Sequence, residues 1–276
     1  MARYDVHQHL WPEELISALA RRDATQRLRG SRLELVDGAY DVDLHAHRLE
    51  RRLALLDRDG IDVACISLQP TLGCYEEPEL VAAYHDGIQN VVAASDGRLV
   101  ALACDERRDG FVGACVSAQR VLDGVGSLAS ELREAGHFLF VHPGVATPSR
   151  EGTPPWWSVV VDYTAQMQAA FVAWIAERGQ EVPVVFALLA GGAPFQLERL
   201  ASRETAFAIP DDVYLETSSY GRRALELCLA SLGRERVVYG SDTPVIDSRP
   251  TLRALADLGD AVRDAVCETN PAKLLR

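Results

Sequence analysis

The stretch Leu128-Ala-Ser-Glu-Leu-Arg-Glu-Ala-Gly-His-Phe-Leu-Phe-Val-His-Pro-Gly144 contains one full unit of the architecture. Leu128, Leu132 and Ala135 recur at the three-and-four spacing of a helix with one buried stripe. The chain then turns at Gly136 into Phe138–Val141, an apolar run with no polar alternation. A strand that is apolar on both faces belongs inside a parallel sheet covered by helices. The same reading applied outward yields strands at 2–9, 62–68, 98–104, 111–117, 137–143, 183–189, 213–218 and 236–242. Helices fall at 46–59, 77–95, 125–136, 158–179, 193–203, 219–232 and 250–258. Eight strands alternating with helices in 276 residues predict a (β/α)₈ barrel, α/β in class, as one domain over residues 1–276. Only Asp105–Gly110 separates the third strand from the fourth, so the third helix is expected to be reduced or absent. Residues 10–45 read as a long insertion after the first strand. Pro143–Trp157, with Pro148, Pro154 and Pro155, reads as a second long loop. In a barrel both lie over the C-terminal mouth.

Composition narrows the function classes. A formal charge of −12 opposes nucleic acid and anionic membranes, which attract a basic footprint. The six cysteines form no Cys-x-x-Cys pair, and several sit inside apolar runs as small hydrophobes, which suits the reducing cytoplasm. Residues 1–30 contain no leader pattern and no apolar run reaches the roughly 20 residues of a membrane span. The expected partner is a small-molecule substrate, with a homodimer left open.

The first strand, Tyr4-Asp5-Val6-His7-Gln8-His9, ends in two histidines one residue apart. Side chains alternate along a strand, so His7 and His9 share a face and can reach one divalent ion. His142 ends the fifth strand and Asp242 the eighth, in Val237-Val-Tyr-Gly-Ser-Asp-Thr-Pro244. All four fall on one predicted rim. Three imidazoles and a carboxylate suit Zn²⁺ first, with Mn²⁺ or Fe²⁺ as alternatives, and leave room for substrate. His45 and His47 repeat the spacing at a helix start, where residues two apart diverge, and His85 and His137 fall within a helix and at the far end of a strand. None of these four is expected to be a ligand. Ser117, Gln119, Cys104, Asp105, Glu216 and Ser218 lie near outgoing strand ends and are candidate substrate contacts. Trp11, Trp156 and Trp157, in the two long loops, are candidate walls for a ring-containing substrate.

With these segments in place the chain resembles the amidohydrolase-related enzymes of the amidohydrolase superfamily, especially the branch with aminocarboxymuconate-semialdehyde decarboxylase and γ-resorcylate decarboxylase. The matching segments are Asp5–His9, Leu53–Ile66 with Asp59-Gly-Ile-Asp62, Phe138–Gly144, Val185–Leu200 with Gly191-Gly-Ala-Pro194, and Tyr239–Pro244. The resemblance implies a TIM-like barrel with one divalent metal held by His7, His9, His142 and Asp242. His7-Gln-His-Leu-Trp11 is also similar to the opening of a lactonase branch. One departure is chemical: the family's histidine before its Gly-Gly segment is replaced by Leu188 or Leu189, which have no titratable group. These leucines are expected to present an apolar wall to substrate. The expectation is therefore hydrolysis of a lactone, amide or related carbonyl compound, with Asp242 as the catalytic base. The alternatives are a non-oxidative decarboxylase of an aromatic or unsaturated carboxylate and a non-catalytic metal- or ligand-binding relative.

Overall fold

A computed structural model describes residues 1–147, 154, 156–176, 182–203 and 208–275. Pro148, Pro155 and residues 177–179 of the expected helix 158–179 lie outside the described residues. The strands in chain order are β1 (Tyr4–His9), β2 (Arg27–Arg29), β3 (Arg32–Leu35), β4 (Gly38–Asp41), β5 (Val63–Ser67) and β6 (Leu99–Ala101). They continue with β7 (Ala103–Cys104), β8 (Gly113–Ser117), β9 (Phe138–His142), β10 (Val184–Phe186), β11 (Val213–Glu216) and β12 (Val237–Val238).

Two parallel arcs, β1-β5-β6 and β12-β11-β10-β9-β8-β7, join into a closed barrel. At one seam, β6 and β7 are two halves of one strand interrupted at Leu102, whose N–H donates to Ile66 O at 2.8 Å. At the other, Val6 N–H donates to Tyr239 O at 2.9 Å, and Asp242 and His9 exchange backbone bonds with His7 O and Thr243 O at 2.8 Å. The ring has eight strands and each finds partners on both sides, so no edge is left for another chain to pair with. Strand β9 is wholly buried because its neighbours and covering helices exclude water from both faces. Each large side chain held there contributes roughly 1.5–3 kcal/mol. No helix occupies Asp105–Val112, as the spacing required.

Three elements differ from expectation. The insertion after β1 is ordered: a helix at Glu13–Arg21 is followed by the antiparallel sheet β2-β3-β4, whose short strands are too polar to stand out by alternation. A further short helix, Ala118–Asp123, starts directly at the end of β8. The sixth barrel strand stops at Phe186, three residues early, and Leu188–Gly192 forms a turn with φ between +48° and +80°. The helical stretch Ser158–Ala176 is long and apolar enough to cross a membrane by length and composition. It packs on the barrel here, with Phe171 and Trp174 edge-on to Phe186 at centroid distances of 5.4 and 6.2 Å.

Candidate metal centre

Strand β1 carries a bulge: Asp5 pairs with Ala64 but Gln8 with Ile66. Beyond it Gln8 points outward, where Arg52 Nη1 donates to its Oε1 at 2.9 Å and Arg52 Nη2 donates to His9 O at 2.7 Å. His7 and His9 point inward. The buried guanidinium thus holds the strand end from outside while the imidazoles meet His142 and Asp242 within. Ligand-type atoms of these four residues all lie within 4.8 Å of one another.

Each imidazole is oriented by an oxygen at its Nδ1. His7 Nδ1 lies 2.9 Å from Glu216 Oε2, His9 Nδ1 3.0 Å from Ser67 O, and His142 Nδ1 3.0 Å from Pro143 O. These acceptors place the proton on Nδ1 and leave the Nε2 lone pair facing the centre. His7 Nε2 and His9 Nε2 are only 3.0 Å apart, an arrangement that repels unless a proton or cation lies between them. Asp242 Oδ1 adds negative charge 3.1 Å from His9 Nε2 and 3.6 Å from His7 Nε2. The set attracts a cation.

The titrations follow the same geometry. Burial opposes the charged form of His7, but Glu216 at its Nδ1, then Asp242 and Asp5, raise its pKa above the ordinary histidine value. Burial, reinforced by the positive charge on His7, pushes His9 and His142 far below it. Burial raises the Asp242 carboxyl, and the charges of His7 and His142 pull against that rise. Asp242 stands at φ +58°, a conformation that aspartate tolerates better than most residues.

Several residues expected at the substrate are placed elsewhere. Glu216 is fully buried beneath His7 and is spent on structure: it accepts from Ser218 N–H, from Ser218 Oγ–H at 2.8 Å and from Leu188 N–H at 3.3 Å. A Cβ at Gly240 would overlap this carboxyl, so only glycine fits there. Ser117 accepts from Arg120 N–H at 3.1 Å as a helix cap and borders a separate polar cavity of about 440 Å³. Trp156 is 54% exposed. Neither it, Leu188 nor Leu189 is among the described residues lining a second cavity, which measures about 400 Å³, has none of the four clustered residues in that lining and is bordered by Trp11, Gln69, Tyr163 and Val245 among others. Trp11 is there, its indole N–H donating to Gln69 Oε1 at 2.9 Å.

Two of the remaining histidines have other partners. His47 accepts from Trp11 N–H at 3.1 Å and stacks on the indole at 4.5 Å, and His85 accepts from Cys104 N–H at 2.9 Å. Sequence reasoning missed Gln69, Tyr163 and the hairpin residue Asp37 as cavity residues. Nothing in their local pattern marks them, because the long insertion and the Ser158–Ala176 helical stretch come together only in the folded chain.

No curated protein sequence matches this chain. Among solved structures it is similar to IDCase of Metarhizium anisopliae in apo form, at 17% identity and a TM-score of 0.79, covering 100% of this chain and 97% of that one. It is also similar to 5-carboxyvanillate decarboxylase of Sphingomonas paucimobilis (16%, TM-score 0.68, 99% and 98%). A third is the dihydroxybenzoic acid decarboxylase of Polaromonas sp. JS666 with bound manganese and the inhibitor 2-nitroresorcinol (15%, TM-score 0.70, 99% and 96%). At these identities the likeness is one of fold. The amidohydrolase family model matches residues 4–276, nearly the whole chain, and the chain belongs to the amidohydrolase family.

Proposed function

We propose that this protein is a divalent-metal-dependent, non-oxidative decarboxylase of a small aromatic or unsaturated carboxylate. The observation that carries the reading is the placing of Asp242. It is the open member of the cluster, its side chain 14% exposed while those of His7 and His9 are fully buried, so a proton passing between solvent and a bound substrate can pass through its carboxyl. Loss of CO₂ needs one proton, delivered to the carbon whose bond to the carboxylate breaks, and Asp242 is placed to give it. The shared fold with proteins described as decarboxylases supports the same choice over the hydrolase expected from sequence.

His7, His9, His142 and Asp242 would hold the metal. Three oriented Nε2 atoms and one carboxylate fit Mn²⁺, Fe²⁺ or Zn²⁺. When bound, the ion supplies positive charge to a substrate oxygen. Glu216 keeps His7 in its ligating tautomer, Trp11 and Tyr163 enclose the ring, and Asp242 recovers its proton from solvent. Hydrolysis of a lactone or amide is the second reading, favoured by the His7-Gln-His-Leu-Trp11 opening.

The test is product analysis on protein supplied with Mn²⁺ or Zn²⁺ and offered hydroxybenzoates and lactones in D₂O and in ¹⁸O-water. Decarboxylation releases CO₂ and places one deuterium on the vacated carbon. Incorporation of ¹⁸O without CO₂ selects hydrolysis, and metal binding with neither product selects the non-catalytic relative. Asp242→Asn is expected to reduce CO₂ release by about 10²-fold or more, and a variant with full activity would remove Asp242 as the proton donor.

A further inference from the structure

A cavity lined at one end by Pro244 and Val245, just past Asp242, and at the other by the β3–β4 hairpin has no lysine or arginine among its described lining residues. The one histidine among them, His47, is held neutral by burial, with a pKa lowered to about 3. The walls are largely apolar, through Trp11, Leu33, Leu35, Leu72, Val159 and Val245. Of its three aspartates, two are engaged: Asp41 faces Arg32 at 3.2 Å and Asp43 accepts from His45 N–H at 3.0 Å.

Asp37 differs. Its Oδ2 accepts from Tyr40 O–H at 2.9 Å, while its Oδ1 is buried with no hydrogen-bond partner among the described residues. A buried acceptor without a donor is costly, and a ligand that supplies the donor recovers that cost. Tyr163 lines the same cavity, and burial first, then Asp37, raise its pKa.

We propose that Asp37 is a specificity-determining residue, and that the substrate is a ring monocarboxylate bearing a hydrogen-bond donor, an amine or hydroxyl, remote from the carboxylate and no second anionic group. The single carboxylate faces the cluster, the ring lies between Trp11 and the apolar walls, and the remote donor meets Asp37. A second carboxylate would face Asp37 in a cavity with no cationic side chain among its described lining residues. The inference rests on the decarboxylase reading for the position of the carboxylate.

Binding by titration calorimetry, with and without Mn²⁺, separates the two. The probes are benzoate, 3- and 4-(aminomethyl)benzoate, isophthalate and terephthalate. At least one aminomethyl probe is expected to bind about tenfold or more tighter than benzoate, and both dicarboxylates weaker than benzoate. In Asp37→Ala the amine-to-benzoate ratio is expected to fall to about one, and in Asp37→Lys the order of amine and dicarboxylate is expected to reverse. Because the readout is a ratio within each variant, a partly misfolded sample does not mimic it. A wild-type ratio of one or below, a ratio unchanged in Asp37→Ala, or no binding of any probe overturns the proposal. An Asp37-dependent preference without CO₂ release from amine-bearing ring carboxylates removes only the decarboxylase reading. CO₂ release with a preference indifferent to Asp37 removes only the role of Asp37.

Discussion

A fully buried carboxylate is tolerated only when its oxygens are bonded, and Glu216 meets the condition with two donors from Ser218, one from Leu188 and the ring of His7. Its strand position was readable, since it ends β11, but its depth was not: strand spacing says which face a residue takes and not which layer of the barrel it fills. The expected consequence concerns metal affinity. Orienting partners of histidine ligands are worth about 10–100-fold in binding, so Glu216→Gln is expected to weaken Mn²⁺ toward the lower end and Glu216→Ala toward the upper. Competition with a chelator measures both, and unaltered affinity in Glu216→Ala would count against the orienting role. The four clustered residues were legible by contrast, because His7, His9 and His142 stand at or near the ends of their strands and Asp242, four residues past the end of β12, sits in a distinctive local pattern.

At the scale of elements, the turn Leu188–Gly192 is the segment least visible in sequence. Phe186–Ala190 is an unbroken apolar run and reads as strand, yet the chain leaves the barrel there so that Leu188 N–H can reach Glu216. Leu188, Leu189 and Ala190 take the left-handed conformation at φ +56°, +48° and +52°, at roughly 1–2 kcal/mol for each non-glycine residue. The strain is offset by burial of both leucines and by a bond from Gln168 Nε2–H to Gly191 O at 2.6 Å. Ala190→Gly is therefore expected to stabilise the protein by about 0.5–1 kcal/mol. Gly191→Ala is expected to cost more than about 2 kcal/mol, because its Cβ would overlap Thr164 O at φ +65°. Urea unfolding of the two variants checks the signs, and a neutral Gly191→Ala would mean that the turn readily rearranges.

For the whole molecule, acid stability depends on groups that the fold keeps neutral. His47, with its pKa lowered from 6.5 to about 3 by burial and then by Arg52, binds a proton more readily unfolded than folded. Stability from this residue is complete above pH 6.5 and is lost as pH falls toward 3, on the order of 5 kcal/mol at most. His47→Gln is expected to flatten thermal stability between pH 6.5 and 4 relative to wild type, and parallel profiles would exclude His47 as a major contributor. The sequence by itself determined the parallel barrel, its missing third helix and the four residues at one rim, because hydrophobic periodicity and strand-end position are local properties that survive folding unchanged. Closure at Tyr239 and Thr243, the burial of Glu216 under His7, and the cavity built by the hairpin and the Ser158–Ala176 helical stretch were decided only in the tertiary structure. Those features join residues up to 235 positions apart, and local patterning has no term for what packs against what across such distances.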